Sequence, residues 1–252
     1  MNAIDPLMAA RFLSIFDRDA AKKGITLSLG FDFQEYVATT KATQTKGRTY
    51  PNFRPDRSPI EPGNGFWVKG VDRNSETALL QAVRLYDLDT SFAEHLRSLR
   101  AYYANVSLHA SSHDTCTCVA PSAESMTGKL AYHGDLWVRA DFRGMGMPRI
   151  MAGIVFGVSY SLWNPDFVCA LVPQWLLEKG VVEEYEYLHY ERGGAILRLV
   201  EEGILDDDWI IWITGEELRS RIEKRSPSEC DGTSSQLGLR DGGATGGNAH
   251  ND

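Results

Sequence analysis

The sequence predicts an α/β fold, a mixed α+β sheet flanked by helices, from three observations. Leu130 to Trp163 runs as an apolar strand, a glycine-containing turn and an apolar helix in immediate succession. Phe66 to Val71 and Ala78 to Leu85 are apolar runs joined by Asp72-Arg73-Asn74-Ser75, a turn composition, which predicts a hairpin. Helix-spaced and strand-like segments then alternate through a chain of 252 residues, 43% hydrophobic and 24% charged, long enough to bury a core.

In chain order, Leu7, Ala10, Phe12, Leu13 and Phe16 place a helix over Pro6 to Lys23, and Gly24 is suited to end it. Ile25, Leu27, Leu29, Phe31 and Phe33 alternate as in a half-buried strand, while Asp32 is equally suited to cap a helix over Phe33 to Thr40. Residues 46–65 hold four prolines and read as a loop. Both faces of Ala78 to Leu85 are mostly apolar, which suits a strand covered on both sides. Ser91 caps a helix carrying Phe92, Leu96, Leu99, Tyr102 and Tyr103, and Ala104 to Thr127 reads as a loop. After the strand–turn–helix unit come a strand at Asp166 to Val172 and a helix from Pro173 to about Glu184. Strands at Tyr185 to Glu191 and Trp209 to Thr214 and a helix at Glu216 to Lys224 complete the domain. One domain is expected over 1–224, with an insertion at about 88–128. From Arg225 onward Gly, Ser, Asp and Asn dominate, and a disordered tail is expected over 225–252.

The formal net charge of −8 argues against nucleic acid as a partner, since a negative surface repels a phosphate backbone. Met1 to Arg11 lacks a basic start, and the apolar run Ile150 to Trp163 is too short for a membrane span, so no targeting segment and no membrane partner are expected. Four unevenly spaced cysteines fit a reduced, cytoplasmic location.

The chemistry is concentrated in Leu136-Trp137-Val138-Arg139-Ala140-Asp141-Phe142-Arg143-Gly144-Met145-Gly146-Met147-Pro148-Arg149. A strand ends at Val138, a helix begins near Met147, and Gly144 and Gly146 lie between them. Glycine there lets the backbone turn sharply, so that free N–H groups meet at the positive end of a helix dipole, a site suited to pyrophosphate. Arg143 and Arg149 add complementary charge.

This stretch resembles motif A of the GNAT acyltransferases: Arg or Gln, two residues, Gly, one residue, then Gly or Ala. Arg143 and Gly146 match, whereas Pro148 stands in the last small position and lacks one N–H. The element order over residues 25–222 is similar to the family's, with the insertion at 88–128 as the main departure. The resemblance implies a GNAT-like central mixed sheet flanked by helices and an acyl-CoA-dependent transferase, with acetyl-CoA or another acyl-CoA as co-substrate and an amine of unknown identity as acceptor. Leu136, Trp137 and Val138 are then expected along the pantetheine arm, and Arg143, Gly144, Met145, Gly146, Met147 and Arg149 around the pyrophosphate. Transfer to an amine needs a base and an acid. His133 and Asp135 have the same strand parity, so either can serve as base, or both are polar residues of a strand face. Tyr185 is the candidate acid, with an interface aromatic as the alternative. A GNAT-fold binding module without turnover is the other reading.

His109, His113, Cys116 and Cys118 have zinc-ligand chemistry, but the Cys-x-Cys gap is tight, and no metal is expected. Cys169 reads as a structural thiol. Asp206-Asp207-Asp208 reads as a solvated turn before Trp209. Tyr185, Tyr187, His189 and Tyr190 could bind substrate or simply pack, and Asn52 to Pro62, with Arg54 and Arg57, could close over the acceptor.

Overall fold

The computed structural model describes residues 5–226. The expected tail therefore lies outside the described residues, apart from Arg225 and Ser226. Helix α1 (Pro6–Lys22) starts where Asp5 accepts a hydrogen bond from the Leu7 amide, and it ends before Gly24, whose φ is +77°. Its buried residues, Ala9, Phe12, Phe16 and Ala20, recur at three- and four-residue intervals.

The ambiguous stretch that follows holds two elements. β1 (Thr26–Gly30) comes first, and Asp32 then caps α2 (Phe33–Ala42) by accepting from the Gln34 amide. β1 is an edge strand paired only with its hairpin neighbour, so Leu29 and Phe31 remain exposed and the expected half-buried pattern is not met. β2 (Gly65–Val71) and β3 (Thr77–Leu88) form the expected hairpin, closed by Asp72 Oδ1 accepting from the Asn74 and Glu76 amides. β3 is buried on both faces over most of its length.

Ser91 caps α3 (Phe92–Arg97), but the helix stops two turns short of the expected end. Leu99 adopts φ +60°, and the chain then turns so that Tyr102 and Tyr103 still bury their rings. The expected loop beyond it contains α4 (Val106–His109), β4 (Thr115–Thr117) and α5 (Pro121–Ser125). β5 (Gly128–Val138), α6 (Met147–Trp163) and β6 (Phe167–Pro173) follow as expected. The single helix expected from Pro173 is two short ones. Pro173 closes β6, and Gly180, at φ +69°, separates α7 (Gln174–Glu178) from α8 (Val181–Tyr185). Tyr185 thus ends a helix instead of opening a strand. β7 (His189–Leu199), β8 (Ile204–Thr214) and α9 (Gly215–Arg225) end the described chain, the last opened by a reciprocal Thr214–Glu217 cap.

The eight strands form one sheet in the order β1-β2-β3-β5-β6-β8-β7-β4. Every neighbouring pair is antiparallel except β5 and β6, which are parallel and joined through α6. This is the mixed α/β sheet flanked by helices that the sequence predicts. α1, α6, α8 and α9 cover one face. α2, the 43–64 segment and the insertion cover the other. α1 crosses α6 closely: a Cβ on Gly153 would stand 2.4 Å from the Phe16 ring, and one on Gly157 2.5 Å from Leu13. Among the described residues no helix is long and apolar enough to cross a membrane.

Candidate functional site

β5 and β6 pair only from Leu130–Phe167 to Tyr132–Cys169, after which β5 follows β3 alone and a gap opens between the two parallel strands. A bulge shapes the diverging half. Ala82 faces Gly134 while Leu80 faces Trp137, so β5 carries one residue too many, and Asp135 takes φ +55° to absorb it. Alternation fails at this point. His133 faces α6 and Asp135 faces α2, which corrects the expectation that they share a face.

His133 is buried, and both of its ring nitrogens are engaged. Gln81 Nε2 donates to the Met151 carbonyl (3.0 Å), so Gln81 Oε1 is the end left to accept from His133 Nε2 (2.9 Å). That fixes the proton on Nε2 and leaves Nδ1 to accept from the Tyr187 hydroxyl (3.2 Å). Burial pushes the His133 pKa down to about 4. The chain Tyr187–His133–Gln81–Met151 therefore ties α6 to the sheet with a neutral imidazole, and His133 has no lone pair available to act as a base.

Asp135 accepts from the Tyr36 hydroxyl (2.6 Å) and pairs with Lys46 Nζ (2.8 Å), with the Lys46 and Asp135 side chains only 3% and 4% exposed. Trp137, on the same side, donates its indole N–H to the Thr45 carbonyl (3.1 Å). Tyr185 lies on the α6 side with His133, their rings 6.2 Å apart. Its ring is buried, its hydroxyl has no hydrogen-bond partner among the described residues, and burial raises its pKa. The structure thus brings Tyr185 to His133 and separates both from Asp135.

The glycine turn opens α6. Gly144 and Gly146 have φ of +71° and +70°, and Gly146 is the N-cap without any side-chain cap. The amides of Gly144, Met145 and Gly146 donate to no backbone acceptor among the described residues, so they remain available beside the helix N-terminus. A cleft of about 240 Å³ adjoins them, lined by Asp19, Lys22, Lys23, Met145, Gly146 and Arg149. Lys22 and Lys23 were not expected here; they arrive because α1 packs on α6, and only that tertiary contact places them. Arg143 is exposed and donates to the Val138 carbonyl (3.0 Å). Arg149 lies between Glu186 (3.1 Å) and Asp19 (3.5 Å), so two carboxylates share its charge. Leu136 and Val138 pack against the α6-side core, Trp137 against the opposite one, and the Met147 side chain is wholly buried.

The 43–64 segment is a packed strap, which corrects its reading as a loop free to close. Phe53 is buried with its ring centroid 6.3 Å from Phe33 and 6.0 Å from Tyr132. Arg84 of β3 donates to the carbonyls of Asn52, Ser58 and Pro59 and to Ser58 Oγ. Arg54 and Arg57 both hold Glu202 in the β7–β8 turn, at 2.5 and 3.1 Å. The strap carries Tyr50, whose hydroxyl donates to Asp206 (2.9 Å). Asp206-Asp207-Asp208 is not a solvated turn but part of β8. Asp208 in particular is half-buried, and desolvation with Asp206 and Asp207 nearby raises its pKa to about 7.

The remaining candidates disperse. His109 contacts Arg57, and Cys116, Cys118 and Cys169 are buried thiols whose pKa values burial raises. Among the described residues no group of three His, Cys, Asp or Glu is arranged to hold a metal ion. Tyr187 is buried beside His133, His189 pairs with Glu217 (2.8 Å), and Tyr190 is exposed, so the aromatic stretch does not form one surface.

No family model matches the sequence, and no curated protein matches it. Solved structures with similarity include a mutant form of the spermidine/spermine N-acetyltransferase SpeG from Vibrio cholerae, at 11% identity and TM-score 0.43, over 80% of this chain and 99% of that one. FeeM, an N-acyl amino acid synthase from uncultured soil microbes, is 11% identical at TM-score 0.43, over 80% and 96%. Arabidopsis thaliana NAA60 in complex with acetyl-CoA is 13% identical at TM-score 0.43, over 75% and 98%. Similarity this slight supports no conclusion about the activity, acceptor or cofactor of this chain.

Proposed function

We propose that the chain is an acyl-CoA-dependent acyltransferase of the GNAT type, moving an acyl group, in the first instance acetyl, to an amine. One observation carries this reading: β5 parts from β6 directly before an uncapped, glycine-built helix N-terminus with free amides. The gap is a path for an extended arm, and the amides of Gly144, Met145, Gly146 and Met147 suit a pyrophosphate at its end. Lys23 in the cleft and the exposed Arg143 of the loop supply local positive charge, to which Lys22 and Arg149 add what Asp19 and Glu186 leave unneutralised. Leu136, Trp137 and Val138 offer β5 backbone along the gap.

In such a transfer the amine nitrogen bonds to the thioester carbon, the C–S bond breaks, and the thiolate takes a proton. Tyr185 is assigned the role of acid because its hydroxyl has no competing partner. His133 holds α6 to the sheet, and Asp135, with both oxygens engaged, positions the bulge. The engagement of both favours one other reading, a GNAT-fold module that binds acyl-CoA without turnover.

Calorimetric titration with acetyl-CoA tests the reading, with Gly146→Val as control. Saturable binding that is lost in the variant supports it. Binding that survives the substitution, or no binding to millimolar acetyl-CoA or a longer acyl-CoA, overturns it. Release of free thiol on adding amines separates transfer from binding alone.

A further inference from the structure

The helices on the α6 side leave one end of the sheet bare. Along β8 the residues of that side pass from buried Ile213 and Ile211 through half-buried Trp209 to exposed Asp207 and Leu205. Directly paired residues of an antiparallel ladder share a face. Tyr190 stands opposite Ile211, Ile196 opposite Asp207 and Arg198 opposite Leu205, so all three belong to this side. Leu205, Tyr190 and Ile196 are 77%, 61% and 46% exposed, and the Tyr190 and Trp209 ring centroids lie 6.2 Å apart. Apolar side chains from two neighbouring strands thus stand together on an uncovered sheet face, unlike the isolated exposed Leu7 of α1 or Leu108 of α4.

The same face carries one charge of each sign. Arg198 and Asp207 are exposed and stand diagonally across the β7–β8 pair, and neither joins an ion pair among the described residues. Their charges cancel in a chain of net charge −8, so two copies approaching through this face meet little of the repulsion that separates them elsewhere. The face is also its own complement. A two-fold axis lying between two such faces and passing midway between Arg198 and Asp207 sets a guanidinium against a carboxylate, twice over. An acidic or a basic partner, or an anionic lipid surface, would instead oppose one of the two charges with its own sign.

We propose that this face is the contact between two copies of the chain, packed sheet on sheet about a two-fold axis that sets Arg198 against the partner subunit's Asp207 and Asp207 against the partner subunit's Arg198. Leu205, Ile196, Tyr190 and Trp209 supply the apolar area, and burying it drives the association. The two reciprocal ion pairs fix how the faces are aligned, since any other rotation brings like charges or uncompensated ones into the contact. The contact does not depend on the acyl-transfer reading and holds equally for a module without turnover.

The test is sedimentation velocity of the full chain over a concentration series, with circular dichroism to show that each variant is folded. Wild type should sediment as a dimer, and so should Leu108→Glu, which places a charge on an exposed leucine away from this face. Leu205→Glu should shift the chain to monomer. Arg198→Glu sets two carboxylates together across the axis, and Asp207→Lys sets two cations together, so each should weaken association about tenfold or more. Mixing these two variants in equal amounts should restore the dimer, because both pairs across the axis then join opposite charges again. A wild type that stays monomeric at about 0.1 mM overturns the proposal. So does a dimer that survives both charge reversals, which would lie on another surface, and so does a mixture of the two reversed chains that stays monomeric.

Discussion

Lys46 Nζ lies 2.8 Å from Asp135 Oδ1 with both side chains almost wholly out of water, and the pair pins the strap to the β5 bulge. Removing one partner of a buried pair leaves the other charged and unpaired. Lys46→Met should therefore destabilise the fold by about 3–5 kcal/mol, whereas Lys46→Met combined with Asp135→Asn should recover most of that loss. Asparagine suits the position because it tolerates the left-handed backbone that Asp135 adopts and can still accept from Tyr36. Urea unfolding of the two single variants and the double one measures the coupling, and additive losses would count against a pair that acts as a unit.

The His133 network makes a different prediction. Tyr187→Phe removes the hydroxyl that donates to Nδ1 and leaves that nitrogen buried without a partner, at a cost of about 1–3 kcal/mol. The folded pKa of about 4 lies below the ordinary value of 6.5, so the unfolded chain binds more protons between these values. The contribution of the neutral ring is then complete above about pH 6.5 and lost as pH falls toward 4. In a ¹H–¹⁵N spectrum the His133 ring should show one protonated nitrogen, Nε2, with no titration between pH 5.5 and 8. A titration in that range would mean that the ring is not held as described.

Local chemistry made much of the fold readable. Asp5, Asp32 and Ser91 cap helices through bonds to amides two or three residues away, and the turn at Asp72 and the double-glycine loop are equally local. Features set by distant partners were not readable. Gly134 is a local sign of the bulge, but the residue that takes the left-handed backbone is Asp135, held by Tyr36 and Lys46 far earlier in the chain. Strand β4 has three residues and exists because β7 offers an edge. Three successive aspartates suggest solvent unless the strap is known to lie over the β8 end. Gly180, by contrast, was a visible break inside the helix expected from Pro173, and its left-handed backbone is what divides α7 from α8.

The α1–α6 contact gives a packing prediction. A Cβ at Gly157 would approach Leu13 to 2.5 Å and Phe12 to 3.1 Å, so Gly157→Val forces α1 outward and should cost about 1–3 kcal/mol. The same movement would carry Lys22 and Lys23 away from the glycine loop. Thermal unfolding reads the first effect, and the affinity for acetyl-CoA, measured where the variant is still folded, reads the second. Unchanged unfolding would mean that the helices tolerate a wider crossing.

Asp208 predicts a pH effect opposite in sign to that of His133. Its folded pKa of about 7 lies above the ordinary 3.8, so the folded chain binds more protons between these values, and stability falls as pH rises through that window. Above pH 7 the ionised carboxylate is a destabilising charge in a half-buried place, and Asp208→Asn should stabilise the chain there by about 1–2 kcal/mol. At pH 4 both forms are neutral, and the difference should nearly vanish. Wild type alone cannot display this, because His95 and His133, each with a pKa pushed down to about 4, titrate across part of the same range with the opposite slope. Subtracting the variant from the wild type cancels both histidines, so urea unfolding of the pair at pH 4, 6 and 8 isolates the carboxylate. A difference that does not grow with pH would mean that Asp208 is better solvated or better paired than its burial beside Asp206 implies.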